Sequence, residues 1–100
     1  MDATPAVGPP VTAGVALILY TSAFCQPCTQ TRAVLAEAAR IAPRLSVTER
    51  DVARSMELAE ADGIRSTPTV IVSAADGTEV FRAEGVPTLQ QVLAAAARAV

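Results

Sequence analysis

The chain contains no lysine, no histidine and no tryptophan, holds only two cysteines, and draws just 3% of its residues from the aromatic set. Without histidine, a Ser-His or Cys-His catalytic pair and any histidine-ligated metal site are excluded within one chain. Thiol and carboxylate chemistry remain. The scarcity of aromatics removes the stacking platforms on which bases of single-stranded nucleic acid rest. A formal net charge of −2 likewise gives no electrostatic footprint for phosphate backbones or anionic lipid. No nucleic-acid or membrane partner is therefore expected, and no stretch reaches the roughly 18–20 uninterrupted apolar residues of a membrane-spanning helix. The use of arginine for all eight basic residues, with abundant alanine, reads as the imprint of a GC-rich genome rather than of chemistry.

Residues 1–14, MDATPAVGPPVTAG, carry an early acid, three prolines and two glycines, and lack both the basic and the apolar region of a secretory signal. They read as a flexible N-terminal arm, and the protein as soluble and cytoplasmic. Residues 15–100 read as one domain. With 51% apolar residues in 100, there is material for a single core built mainly of Ala, Val, Ile and Leu.

Val-Ala-Leu-Ile-Leu-Tyr at 15–20 is an apolar run without alternation, as in a strand covered on both faces. Val34, Leu35, Ala38, Ile41 and Ala42 then recur at helical spacing before Pro43, predicting a helix over about 26–42. Leu45 to Asp51 alternates as a second, less buried strand. Ser55 is placed to cap a short helix over Met56 to Asp62, with Gly63 at its end. Thr69 to Ser73 and Thr78 to Arg82 flank Asp76-Gly77, a hairpin signal. Thr88 and Gln91 form a capping box ahead of an apolar face comprising Leu89, Val92, Leu93, Ala96, Ala97 and Val100. The order βαβαββα implies a layered α/β domain, a four-stranded mixed sheet flanked by three helices.

Cys25-Gln26-Pro27-Cys28 falls at the turn from the first strand into the first helix. Cysteines three apart there lie on one side of the first turn, close enough for their sulfurs to bond. The unpaired N–H groups and the positive end of the helix dipole favour a thiolate over a thiol. Cys25, at the exposed turn, is the expected nucleophile that forms a mixed disulfide; Cys28, one turn in, is the expected resolving residue. Pro27 sits where its missing N–H costs little and stiffens the loop. Two competing readings stay open: a pair of inert buried cysteines, and half of a zinc site completed only by another chain.

Phe24-Cys25-Gln26-Pro27-Cys28 and Gly63-Ile64-Arg65-Ser66-Thr67-Pro68-Thr69 together resemble the thioredoxin family, over residues 15–100. The resemblance implies a thioredoxin-like fold and a cis bond at Thr67-Pro68. It also implies that Thr67 pairs its backbone with an extended substrate segment, an addition of one strand. Gly85 matches a glycine that keeps the groove beside the disulfide open, although it could equally be a turn residue. By the same resemblance, Phe24, Gln26 and Pro27 are expected to line the substrate-binding rim.

Departures from the family pattern are specific. Phe-Cys-Gln-Pro-Cys stands for the usual Trp-Cys-Gly-Pro-Cys, and Leu19 for the buried Asp that helps proton transfer at the resolving thiol. Glu49 falls where the family often has Lys, and is a candidate proton relay from another direction. The plainer alternative is a solvated strand residue paired with an arginine. Only fourteen residues precede the first strand, so the minimal core is expected.

The implied activity is protein disulfide reduction through the dithiol, with protein disulfides as substrates and a monomeric protein. The implied electron donor is a thioredoxin-reductase-like flavoprotein or a low-molecular-weight thiol. Apart from the redox-active disulfide, no cofactor and no metal are expected. The small size and Leu19-Tyr20-Thr21 also resemble glutaredoxins, which use a small thiol, but no paired glycines come after the second hairpin strand to hold one. A non-catalytic binding module that keeps the groove of Pro68 and Gly85 is the reading from another class.

Overall fold

Residues 14–100 are described by the computed structural model, so the arm expected over residues 1–14 lies, except for Gly14, outside the described residues. Strand β1 (Val15–Thr21) is covered on both faces, by the clusters of Leu17 and Leu19 on one side and of Ile18 and Tyr20 on the other, which is why its apolar run does not alternate. β2 (Leu45–Asp51) pairs parallel to it from Val15↔Leu45 to Thr21↔Asp51. β3 (Thr69–Ser73) pairs antiparallel from Ala16↔Ser73 to Tyr20↔Thr69. β4 (Glu79–Glu84) lies antiparallel on β3, giving the order β2-β1-β3-β4. With α1 (Gln26–Ile41), α2 (Met56–Ala61) and α3 (Leu89–Arg98), this is the expected four-stranded mixed sheet with three helices.

The apolar pattern predicts the last strand over 78–82, whereas β4 runs two residues further, to Glu84. Its end is set by its partner: β3 begins at Thr69, which faces Glu84. Arg82-Ala83-Glu84 carries no hydrophobic signal of its own. At the hairpin, Gly77 adopts a φ of +91° and the Asp76 carboxylate accepts the Thr78 N–H at 2.9 Å.

In α1 the buried residues are Cys28, Thr31, Leu35 and Ala38, one stripe at spacings of three and four. Ile41, expected on that stripe, is 47% exposed, and Ala42 packs on the core instead. In α3 the capping box forms in both directions: Gln91 N–H donates to Thr88 Oγ1 at 3.0 Å and Thr88 N–H to Gln91 Oε1 at 2.9 Å. The buried stripe of α3 is Val92, Ala95 and Ala96, continued by Ala99; Ala97 and Val100 point to solvent. Ala97 lies five residues from Val92, roughly 140° around a helix of 3.6 residues per turn. Ser55 occupies the N-cap of α2 without a side-chain cap bond. Asp51 accepts the N–H groups of Ala53 and Arg54 just before it, at 2.8 and 3.3 Å.

Leu17, Leu19, Val70 and Val72 face α1 and α3, meeting Leu35, Ala38, Val92 and Ala95 in the main core. On the opposite face Tyr20 and Ile71 pack with Ala59 of α2, joined by half-buried Ile18, Val52 and Ile64. Tyr20 is fully buried, and its hydroxyl donates to Asp62 Oδ2 at 2.6 Å while accepting from Arg50 Nη1 at 2.9 Å. β2 is one of the two edge strands, with Ser46, Val47, Thr48 and Glu49 exposed.

Candidate functional site

The ladder places one row of residues across the sheet: Arg50, Tyr20, Thr69 and Glu84 are successive partners on the four strands. Just beyond that row β1 runs into the cysteine loop, β3 is entered from Pro68, and β4 exits into Gly85. Three segments distant in sequence are thus brought to one end of the sheet by strand pairing.

Phe24 turns the chain out of β1 with a φ of 57°, a left-handed conformation costly for a bulky residue, and its side chain is fully exposed. Cys25 comes next as the N-cap of α1, and Pro27 lies in the first turn. Cys25 and Cys28 form a disulfide across a Cα–Cα separation of 5.2 Å. Cys28 is completely buried, whereas Cys25 is half-buried and Gln26 and Pro27 are exposed. Access therefore differs between the two cysteines.

The Cys28 N–H donates to Cys25 Sγ at 3.1 Å, and the N–H groups of Cys28 and Thr29 approach the Cys25 carbonyl at 3.2 and 3.3 Å. The first turn of this sixteen-residue helix contains no acid. A Cys25 thiolate released by reduction would meet an N–H donor and the positive helix end, with no acid in the first turn of the helix opposing it. Thr31, buried one turn after Cys28, donates its hydroxyl to the Pro27 carbonyl at 2.9 Å and holds the turn closed.

The Thr67–Pro68 peptide bond is cis. Thr67 Oγ1 and Ser22 Oγ are hydrogen-bonded at 2.6 Å, tying this loop to the residues before the cysteines. On its other side the Pro68 carbonyl accepts the Gly85 N–H at 2.8 Å. Among the described residues, no backbone group outside the strands satisfies the N–H or C=O of Thr67. Gly85 has a φ of +103°, and a Cβ placed there would meet nothing within 4 Å. Its backbone thus favours glycine, and a side chain would project into open space beside Pro68.

Glu49 lies on β2 and lines the cleft next to Cys25. Its carboxylate accepts Arg32 Nε and Nη2, both at 2.8 Å, and the Thr21 hydroxyl at 3.1 Å. Arg32, against a smaller opposing effect of burial, holds this carboxyl below the ordinary carboxylate range. A proton relay needs a group that takes up a proton near the working pH. Glu49 is instead the fixed anion of an ion pair, the plainer of its two readings. Leu19 is buried in the apolar core, and among the described residues no Asp or Glu is buried. The Cys28 proton therefore has no internal carboxylate to take it.

The residues that sequence reasoning missed are Ser22, Arg32, Asp51 and Arg54. Ser22 meets Thr67 across 45 positions, a pairing that no local pattern signals. Arg32 lies seven residues after Cys25, on the flank of α1 that faces β2. Among the described residues there is no group of three or more potential metal ligands, and no helix is long and apolar enough to cross a membrane.

A disulfide at a helix N-cap, one sulfur accessible and one buried, beside a cis-proline loop at the end of a mixed sheet defines a thioredoxin-like thiol–disulfide exchange domain. The family model for thioredoxin matches residues 11–98, and the chain belongs to the thioredoxin family. A thioredoxin variant from Halobacterium salinarum is 26% identical with a TM-score of 0.76, the match covering 85% of this chain and 74% of that one. Thioredoxins from Fasciola hepatica and Plasmodium falciparum share the fold, at 21% and 22% identity and TM-scores of 0.74 and 0.72. Those matches each cover 86% of this chain, and 81% and 82% of theirs. No curated protein matches the chain.

Proposed function

We propose that the protein reduces disulfides of other proteins through the Cys25–Cys28 dithiol. The observation that carries this reading is the asymmetry of the pair: Cys28 is wholly buried while Cys25 is accessible at the helix N-cap, beside the open backbone of Thr67. The Cys25 thiolate attacks one sulfur of the target disulfide, and the other leaves as a thiolate that takes a proton from water. Cys28 then loses its proton, attacks Cys25 Sγ in the mixed disulfide, and releases the second target thiol. Two electrons pass to the target, and the Cys25–Cys28 disulfide is left to be reduced again. Phe24, Gln26, Pro27, Thr67, Pro68 and Gly85 form the rim that receives the target.

We take the electron donor to be a thioredoxin-reductase-like flavoprotein, with a low-molecular-weight thiol as the competing donor, and the protein to act as a monomer in the cytoplasm. Insulin reduction driven by dithiothreitol tests the activity. The parent accelerates it, Cys25→Ser abolishes the acceleration, and Cys28→Ser accumulates a mixed disulfide at Cys25. A parent that fails to accelerate reduction, or a Cys25→Ser variant that retains the activity, overturns the reading in favour of a binding module. Recycling by a flavin reductase or by a small thiol separates the donors.

A further inference from the structure

A concavity of about 680 Å³ opens on the side of Cys25 that faces α1 and β2. Its walls include Thr21, Cys25, Arg32, Glu49, Asp51 and Arg54, and neither Thr67, Pro68 nor Gly85 lines it. Cys25 thus lines a charged cleft that it shares with Phe24 and Gln26 of the rim and that the cis-proline loop does not reach.

The charges of the cleft are not equally available. Glu49 is held by Arg32 on two nitrogens and by the Thr21 hydroxyl. Asp51 is turned toward the backbone, accepting the N–H groups of Ala53 and Arg54. Arg32 is committed to Glu49. Arg54 differs: its backbone is fixed in the turn after β2 by the Asp51 carbonyl at 3.0 Å, while its exposed guanidinium reaches no carboxylate among the described residues. Among the described residues, Arg54 is thus the cation of the cleft without an ion-pair partner, while Asp51 is held only by backbone N–H groups on Oδ1.

We propose that this cleft is a subsite for a carboxylate carried close to the reactive sulfur of the disulfide substrate, with Arg54 as the residue that receives it. A guanidinium offers a planar pair of N–H donors that matches a carboxylate in two parallel bonds. A lysine in the same place on the substrate would meet the like charge of Arg54. This deepens the proposed function and rests on it. The shared chemistry is a carboxylate next to a disulfide, supplied by an acidic residue flanking a cysteine of a target protein or by the carboxylate of a small thiol.

The test is single-turnover reduction, by the reduced protein, of one cyclic disulfide peptide made with Glu, Gln or Lys beside the attacked cysteine. A small dicarboxylate disulfide and its diamide form a second arm. For the parent, kcat/KM falls in the order Glu, Gln, Lys by about two- to five-fold per step at low salt, the scale of an exposed ion pair. The differences collapse at about 0.5 M salt, where screening acts within a few ångströms. In Arg54→Glu the order inverts. The peptide arm reports a protein acid and the small-disulfide arm a thiol carboxylate, and preference in either supports the subsite. Equal rates on all substrates, or the same order in Arg54→Glu, overturn it while leaving disulfide reduction intact. No reduction of any substrate overturns both.

Discussion

Replacing Tyr20 by Phe isolates one polar group in an otherwise apolar layer. The ring is fully buried against Ala59 and Ile71, and its removal is not at issue, since Phe keeps it. What goes is a hydroxyl that donates to Asp62 at 2.6 Å and accepts from Arg50 at 2.9 Å. Hydrogen bonds to charged groups contribute about 1.5–3 kcal/mol each. Asp62 and Arg50 are only part-buried and 3.7 Å apart, so they can turn to water or to each other, which returns part of that loss. The expected cost is about 1–2 kcal/mol, or roughly 5–15 °C in Tm for a domain of this size.

Urea or thermal unfolding of the oxidised protein measures this change, and pH supplies a sign. Burial first, then the bond to Asp62, raises the Tyr20 phenol above its ordinary value of 10.0. The neutral phenol is thus favoured in the folded state. Its contribution is fully present below the unfolded value and is lost as pH rises through the folded one. The gap between parent and variant should be widest near pH 7 and narrow above pH 10. A loss below about 0.5 kcal/mol, or a gap that widens with pH, would refute the reasoning.

The site supports two further expectations. Glu49→Gln should leave the pH profile of disulfide reduction in its parental shape, because the Arg32-paired carboxylate is ionised throughout the working range; a displaced limb between pH 6 and 9 would restore Glu49 as a proton carrier. Phe24→Gly should hold or raise stability, by up to about 1 kcal/mol, because it relieves a left-handed residue that buries nothing, while raising KM for protein disulfides. A fall in stability with unchanged KM would show that the exposed ring serves the fold and not the partner.

Most of the architecture was legible because it rests on local signals: the unalternating run before Thr21, the Thr88 capping box, the Asp76-Gly77 turn. The errors share one cause. The end of β4, the exposure of Ile41 and the turning out of Ala97 and Val100 are decided by what lies opposite, which a single strand or helix does not encode. The cysteine pair was legible for the same reason as the caps, as a motif at a recognisable junction. Ser22 against Thr67, and Arg32 against Glu49, bind through side chains from separate elements. The charge at Glu49 could be read from the sequence; the partner that removes it from proton chemistry was one arginine among eight.

Because Tyr20, Thr69 and Glu84 are consecutive rungs, the separation of Cys25, Pro68 and Gly85 is measured off by the strand repeat of about 4.8 Å rather than by loop length. A slip of one residue between β1 and β3 would carry Pro68 away from the cysteines. It would also swing Val70 and Val72 out of the main core, since neighbouring side chains on a strand point to opposite faces. Misalignment of the chemistry is thereby coupled to loss of the hydrophobic core. Any molecule that folds has, by the same register, assembled its reactive centre.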